Sequence, residues 1–167
     1  MPRIIESGLR TGALQIAGCV SSLLALELLH ACRRVYLSAP QLRNSPIFFN
    51  DMGQFDALFP EVDTPIVSLA QGLSILAERG ARVCVAYSVT DAGCDAFLAA
   101  LAPSVAYRAA SPLRNHGLFG EDYCLQGSLC FTDSGVDVGS DRAELSTDPE
   151  VVSRSLLEMA RYWEELA

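Results

Sequence analysis

Arg114, His116, Glu121, Ser128 and Cys130 place a guanidinium, an imidazole, a carboxylate, a hydroxyl and a thiol in one short stretch of the chain. On a strand, residues two apart share a face, so Arg114 and His116 are expected to point together, as are Ser128 and Cys130 on a return strand. If the hairpin pairs residues of equal parity, all four converge. Arg114, His116 and the Ser128 hydroxyl would then line a small anion pocket suited to phosphate. A second chemistry casts Cys130 as nucleophile, His116 as base and Glu121 as the group that orients it. No local cysteine-enzyme motif accompanies that set, and a thiol on a core strand is more often packing.

The same stretch has an order of its own. Arg114-Asn-His-Gly-Leu-Phe-Gly-Glu121 leads into Gly127-Ser-Leu-Cys-Phe-Thr132 and then Gly135-Val-Asp-Val138. It resembles the phospholipase D-like superfamily, whose pattern is His-x-Lys-Gly-Leu-Leu-x-Asp, then Gly-Ser-x-Asn-Phe-Thr, then x-x-Gly-Val-x-Val. On that frame the family His falls on Arg114, the Lys on His116, the Asp on Glu121 and the Asn on Cys130. Gly117, Leu118, Gly127, Ser128, Phe131, Thr132 and Gly135 keep the family type. The resemblance implies a mechanism in which one His attacks phosphorus, a second protonates the leaving oxygen, and Lys and Asn hold the phosphate charge.

A guanidinium stays protonated at any physiological pH and cannot serve as that nucleophile. All twelve basic side chains are Arg, so no shift of alignment restores a His-x-Lys motif. The expectation is a pseudoenzyme, with His116 as the residue to test for any remaining catalysis. In the family a Ser-Pro-Trp also follows an early strand, and here Gln41 takes the Trp position.

Half of the 167 residues are hydrophobic, enough for one domain spanning residues 1–167 with its own core. A net charge of −8 excludes a broad basic nucleic-acid footprint. Contact with DNA or RNA would have to come from a local Arg cluster or through partners. Cys19, Cys32, Cys84, Cys94, Cys124 and Cys130 lie singly in apolar runs, which reads as buried reduced thiols and a cytoplasmic location. The N-terminus lacks the signature of a signal peptide. Two histidines without a paired acidic motif predict no metal site, and no cofactor is expected. The scattered acids from Asp133 to Glu150 lack calcium-loop spacing and read as a solvated edge.

The elements that must hold the hairpin follow from periodicity. The apolar run Gly12 to Cys32 carries Gln15 and Glu27, and Leu9, Ile16, Val20, Leu23, Leu24 and Leu28 recur near a helical period. It reads as a core helix rather than a membrane span, with His30 near its end as a cap. Arg34–Ser38 reads as a strand, and 39–63 as a long irregular connection. Thr64-Pro65 predicts an N-cap and first-turn proline for a helix through Arg79. A strand at 81–87, a helix from Thr90 or Asp91 to Ala102 and a strand at 104–108 follow. Thr147-Asp-Pro-Glu150 predicts a capping box for a terminal amphipathic helix.

The Thr-Asp-Pro-Glu-Val-Val phrase and Ser7-Gly-Leu-Arg-Thr-Gly-Ala resemble short phospholipase D-like proteins of bacterial DNA-modification and antiphage gene clusters. The implied fold is α/β, an α/β/α sandwich with a mixed central sheet. Family activity needs two copies of the motif, so a homodimer, or a subunit of a larger protein complex, is the implied assembly, with no membrane. Two functions remain open. One is an interaction or scaffold subunit in a defence or DNA-modification complex, binding phosphate or a nucleic-acid backbone. The alternative is a metal-independent phosphodiesterase or nuclease that uses His116.

Overall fold

The computed structural model describes residues 3–6, 10–30, 34–127, 129–138 and 142–166. In chain order they form β1 (Arg3–Glu6), α1 (Arg10–Leu29), β2 (Arg34–Ala39), β3 (Pro46–Phe49), β4 (Ile66–Ser68), α2 (Leu69–Glu78) and β5 (Arg82–Tyr87). There follow α3 (Ala92–Ala99), β6 (Ala106–Ala109), β7 (Gly117–Phe119), β8 (Cys124–Gln126), β9 (Leu129–Thr132), β10 (Gly135–Val138), β11 (Arg142–Ser146) and α4 (Pro149–Glu165).

Seven strands make a mixed sheet in the order β1-β11-β8-β7-β2-β5-β6. β2, β5 and β6 run parallel, and the other neighbours are antiparallel. Strand periodicity divides its side chains between two cores. Val35, Leu37, Val83, Val85, Leu118 and Leu125 face α1, α2 and α3, while Tyr36, Cys84, Ala86, Phe119 and Cys124 face Val152, Met159, Tyr162 and Trp163 of α4. This is the expected α/β/α layering.

On α1, Ile16, Val20, Leu23, Leu24 and Glu27 are buried at helical spacing, so the apolar run is a core helix. Among the described residues no helix is long and apolar enough to cross a membrane. The His30 ring nitrogen Nδ1 lies 3.2 Å from the Leu26 carbonyl, in reach of the open end of the helix.

Besides shifts of a few residues, such as α3 ending at Ala99 and β6 spanning Ala106–Ala109, three places differ from the sequence-based expectation. Thr64-Pro65 does not start a helix, because Ile66–Ser68 pairs with β3 first. The cap of α2 is Ser68, whose hydroxyl accepts from Gln71 N while Ser68 N donates to the Gln71 side chain. At α4 the cap is Asp148 rather than Thr147; its carboxylate accepts from Glu150 N and Val151 N. The 39–63 connection is not wholly irregular, since it contains β3 and a turn tied by side-chain hydrogen bonds.

Candidate functional site

The candidate site lies where the chain enters the β7–β8 hairpin, beside the carboxyl end of β2. Ser38, fully buried at that end, donates its hydroxyl to the Arg114 carbonyl at 3.1 Å. Arg114 N donates to the Tyr162 hydroxyl at 3.2 Å, and that hydroxyl donates to the Pro112 carbonyl at 3.4 Å. Thus a central strand and α4 together fix the entry segment. Asn115 takes the left-handed backbone that Asn tolerates, with φ 51°.

Side chains do not gather as equal-parity pairing would have it. The hairpin pairs Gly117 with Gln126, Leu118 with Leu125 and Phe119 with Cys124, each odd residue opposite an even one. Continuing that register, the His116 carbonyl accepts from Gly127 N at 3.0 Å. Arg114 and His116 also precede the strand instead of lying in it. Ser128 lies outside the described residues. Cys130 sits half-buried on β9, in a separate two-stranded ribbon with β10, and bridges Gln41 just past β2. That bridge brings together Gln41 and Cys130, the two positions at which the sequence departs from Trp and Asn of the resembling pattern.

His116 is half-buried, and its Nε2 lies 3.1 Å from the Leu113 carbonyl. A ring nitrogen facing a carbonyl must carry the proton, which leaves Nδ1 as the lone-pair nitrogen of the neutral ring. Arg114 turns toward α4, where its Nη1 stands 3.6 Å from Glu165 Oε2 with both side chains 64 % exposed. With Asn115, Glu158, Arg161 and Tyr162 this pair lines an open cleft of about 230 Å³. Glu121 is remote from this entry. It lies in the turn at the other end of the hairpin, 3.9 Å from Arg34 Nε.

Arg43, which the sequence did not single out, and Asp91, expected there only as a helix start, face the same end of the sheet. Arg43, after β2, makes a two-pronged ion pair with Asp91, after β5, at 2.7 Å for each contact. Asp91 also caps α3 by accepting from Gly93 N and Cys94 N. A Cβ on Gly93 would meet the Arg43 guanidinium at 2.4 Å, so only glycine lets the side chain lie there. No local motif links residues 43 and 91, and only the parallel β2–β5 pairing juxtaposes them.

The Arg43 hydrogen bonds hold the Asp91 carboxyl below the ordinary carboxylate range, helped by the Cys94 amide. A depressed folded-state pKa gives stability that is complete above the unfolded value and lost as pH falls through the folded one. Asn can still cap the helix, so Asp91→Asn isolates the charge. We expect wild type to melt above Asp91→Asn by a constant margin over about pH 5, and the margin to vanish well below about pH 4. Paired thermal melts across that range check it.

Burial pushes the thiols of Cys84 and Cys94 above their ordinary values, which favours the unreactive thiol. Among the described residues no cluster of three or more His, Cys, Asp or Glu is placed to hold a metal ion.

No family model matches the chain, and no curated protein matches it in sequence. Solved structures do match in backbone. Nuc from Salmonella typhimurium, described as a phospholipase D family member, aligns with TM-score 0.60 at 14 % identity, over 99 % of this chain and 95 % of that one. NucT from Helicobacter pylori aligns with TM-score 0.54 at 11 % identity, over 99 % and 94 %. Polyphosphate kinase from Porphyromonas gingivalis aligns with TM-score 0.60 at 10 % identity, over all of this chain and 26 % of the kinase. The β7–β8 hairpin beside parallel β2 and β5, together with this near-complete backbone match to two single-domain-length chains, means that the protein has a phospholipase D-like fold.

Proposed function

We propose that the protein is a catalytically degenerate phospholipase D-like subunit, an interaction or scaffold component of a bacterial defence or DNA-modification complex. It works in the cytoplasm, as a homodimer or beside a different subunit, and binds phosphate or a nucleic-acid backbone without cleaving it. The observation that supports this most is Arg114. It stands where the resembling pattern has its nucleophilic His, and it is held against Glu165 of α4. An exposed guanidinium offers hydrogen-bond donors to an anion and no nucleophile at that position. The lysine-free sequence supports the same reading.

The test is hydrolysis of a generic phosphodiester and of single- and double-stranded DNA, with and without EDTA, beside His116→Ala. Equal background in both proteins is expected. EDTA-resistant cleavage that disappears in His116→Ala would overturn the reading and make His116 catalytic.

Binding supplies an independent prediction. Glu165 competes with an incoming anion for Arg114, so Glu165→Gln should tighten inorganic phosphate binding by about two- to fivefold, the range of an exposed ion pair. Arg114→Ala should remove most of it. Isothermal titration with phosphate at low ionic strength reads both; tighter binding in Arg114→Ala would place the anion elsewhere.

A further inference from the structure

The β3–β4 ribbon ends in a knuckle that presents large apolar side chains to solvent. Phe49 and Ile66 are cross-strand partners, 50 % and 44 % exposed, and Met52 at the tip is 91 % exposed. Single exposed apolar residues are ordinary, but a protruding group of three is a feature of contact surfaces.

The knuckle is also built to hold its shape. Asn50 N donates to the Pro65 carbonyl at 2.6 Å, and the Asn50 side chain accepts from Phe55 N and donates to Asp56, both at 2.7 Å. Met52 N donates to the Gln54 side chain at 3.1 Å, and the Gln54 amide donates in turn to the Phe49 carbonyl. Gly53 turns the chain at φ 72°, where a Cβ would meet the Asp56 carboxylate at 2.8 Å. Beneath it Phe55 and Phe59 pack edge-on against Phe48, with ring centroids 5.2 and 4.8 Å away. Met52 is therefore displayed on an ordered turn, and pre-ordering of this kind lowers the entropy lost on binding.

Charge selects the occupant. Exposed Asp51, Asp56 and Asp63 flank the apolar tip, and the sequence has no basic residue between Arg43 and Arg79. Arg79, at the far end of that interval, is already paired with Glu61. An apolar tip with a carboxylate rim fits an apolar socket rimmed by Lys or Arg.

A second copy of this chain is a poorer fit: it has no lysine, and among the described residues Arg34, Arg43, Arg79, Arg82 and Arg114 are paired with carboxylates, Arg108 lies over Trp163, and Arg161 shares its cleft with Glu158 and Glu165. Nucleic acid and anionic lipid are disfavoured by the same rim.

We propose that the Phe49–Met52–Ile66 knuckle is a protein-docking surface whose partner is a different protein with an apolar pocket in a basic surface. This deepens the interaction-subunit reading and rests on it.

The test replaces Met52 with a photo-crosslinking phenylalanine analogue in the full chain and irradiates cells of the native host. The expected result is one adduct with a different protein, its crosslinked peptide lying in a net-positive surface. Phe49→Ser and Ile66→Ser should each cut that adduct about tenfold or more, as for interface anchors, while Leu157→Ser on α4 leaves it unchanged. These positions are exposed, so melting temperatures should stay near wild type. An adduct with a second copy or with lipid, an adduct on an acidic surface, one insensitive to the two substitutions, or none at all would each overturn the proposal. Hydrolytic activity dependent on His116 would instead sink the interaction-subunit reading, and it is measured separately on protein without the crosslinker.

Discussion

Gly117→Ala is expected to destabilise the protein by about 3 kcal/mol or more, the sum of backbone strain and overpacking. Gly117 has φ +150°, a region open to glycine alone, and an added Cβ would lie 2.1 Å from the Leu125 carbonyl oxygen on the facing strand. Neither party can move cheaply. Leu118 and Leu125, next along the hairpin, are almost fully buried between β2 and β11, so a shift of the hairpin disturbs the central sheet. Gly135→Ala is the informative comparison. It has φ +145° but its Cβ would meet open space, so it should lose only the strain contribution, about 1–3 kcal/mol. Urea denaturation of both variants measures the difference; for a chain of this size it corresponds to a melting temperature lower by roughly 2–4 °C per kcal/mol. Equal losses in the two variants would show that contact with Leu125 contributes nothing.

The same hairpin marks what the sequence could and could not reveal. Its existence was legible through the resemblance, because Gly117, Leu118, Gly127, Phe131 and Thr132 keep the family type around it. Its register was not. Four residues, 120–123, connect β7 to β8, with Gly120 N donating to the Tyr123 carbonyl. An even-numbered connection pairs odd with even positions, and a one-residue difference reverses every side chain relative to its neighbour. The anion pocket imagined from Arg114, His116, Ser128 and Cys130 depended on the other parity.

Strands β2 and β5 were readable for a different reason. Val35, Leu37, Val83 and Val85 alternate with Tyr36 and Cys84, and both faces are covered, so nearly continuous apolar runs survive in the sequence. The β3–β4 ribbon has only the short apolar runs Ile47-Phe48-Phe49 and Ile66-Val67, and Ser68 initiates α2 only because the preceding residues are held by β3. Long-range pairs were invisible altogether: nothing near Arg43 announces Asp91, and nothing near Arg114 announces Glu165.

Trp163→Ala should be the other severe substitution, with a loss of about 3–5 kcal/mol for removing a buried indole. Trp163 is 2 % exposed, and Arg108 lies over its ring at 4.4 Å while also donating to its carbonyl. Trp163→Phe keeps an aromatic face in the same place and should lose much less. The consequence for function comes from the preceding residue. Tyr162 uses its hydroxyl to hold both Arg114 N and the Pro112 carbonyl, so the docking of α4 positions the hairpin entry. If Arg114 binds phosphate there, Trp163→Ala should weaken phosphate binding even under conditions where the variant remains folded. Tyr162→Phe separates geometry from stability. Loss of one hydroxyl changes stability by only about 1 kcal/mol, yet it frees the segment that carries Arg114. Phosphate titration should therefore show Tyr162→Phe weakened out of proportion to its urea midpoint, and Trp163→Phe nearly unchanged. Unaltered phosphate binding in Tyr162→Phe would mean that Ser38 alone, through the Arg114 carbonyl, suffices to set the entry.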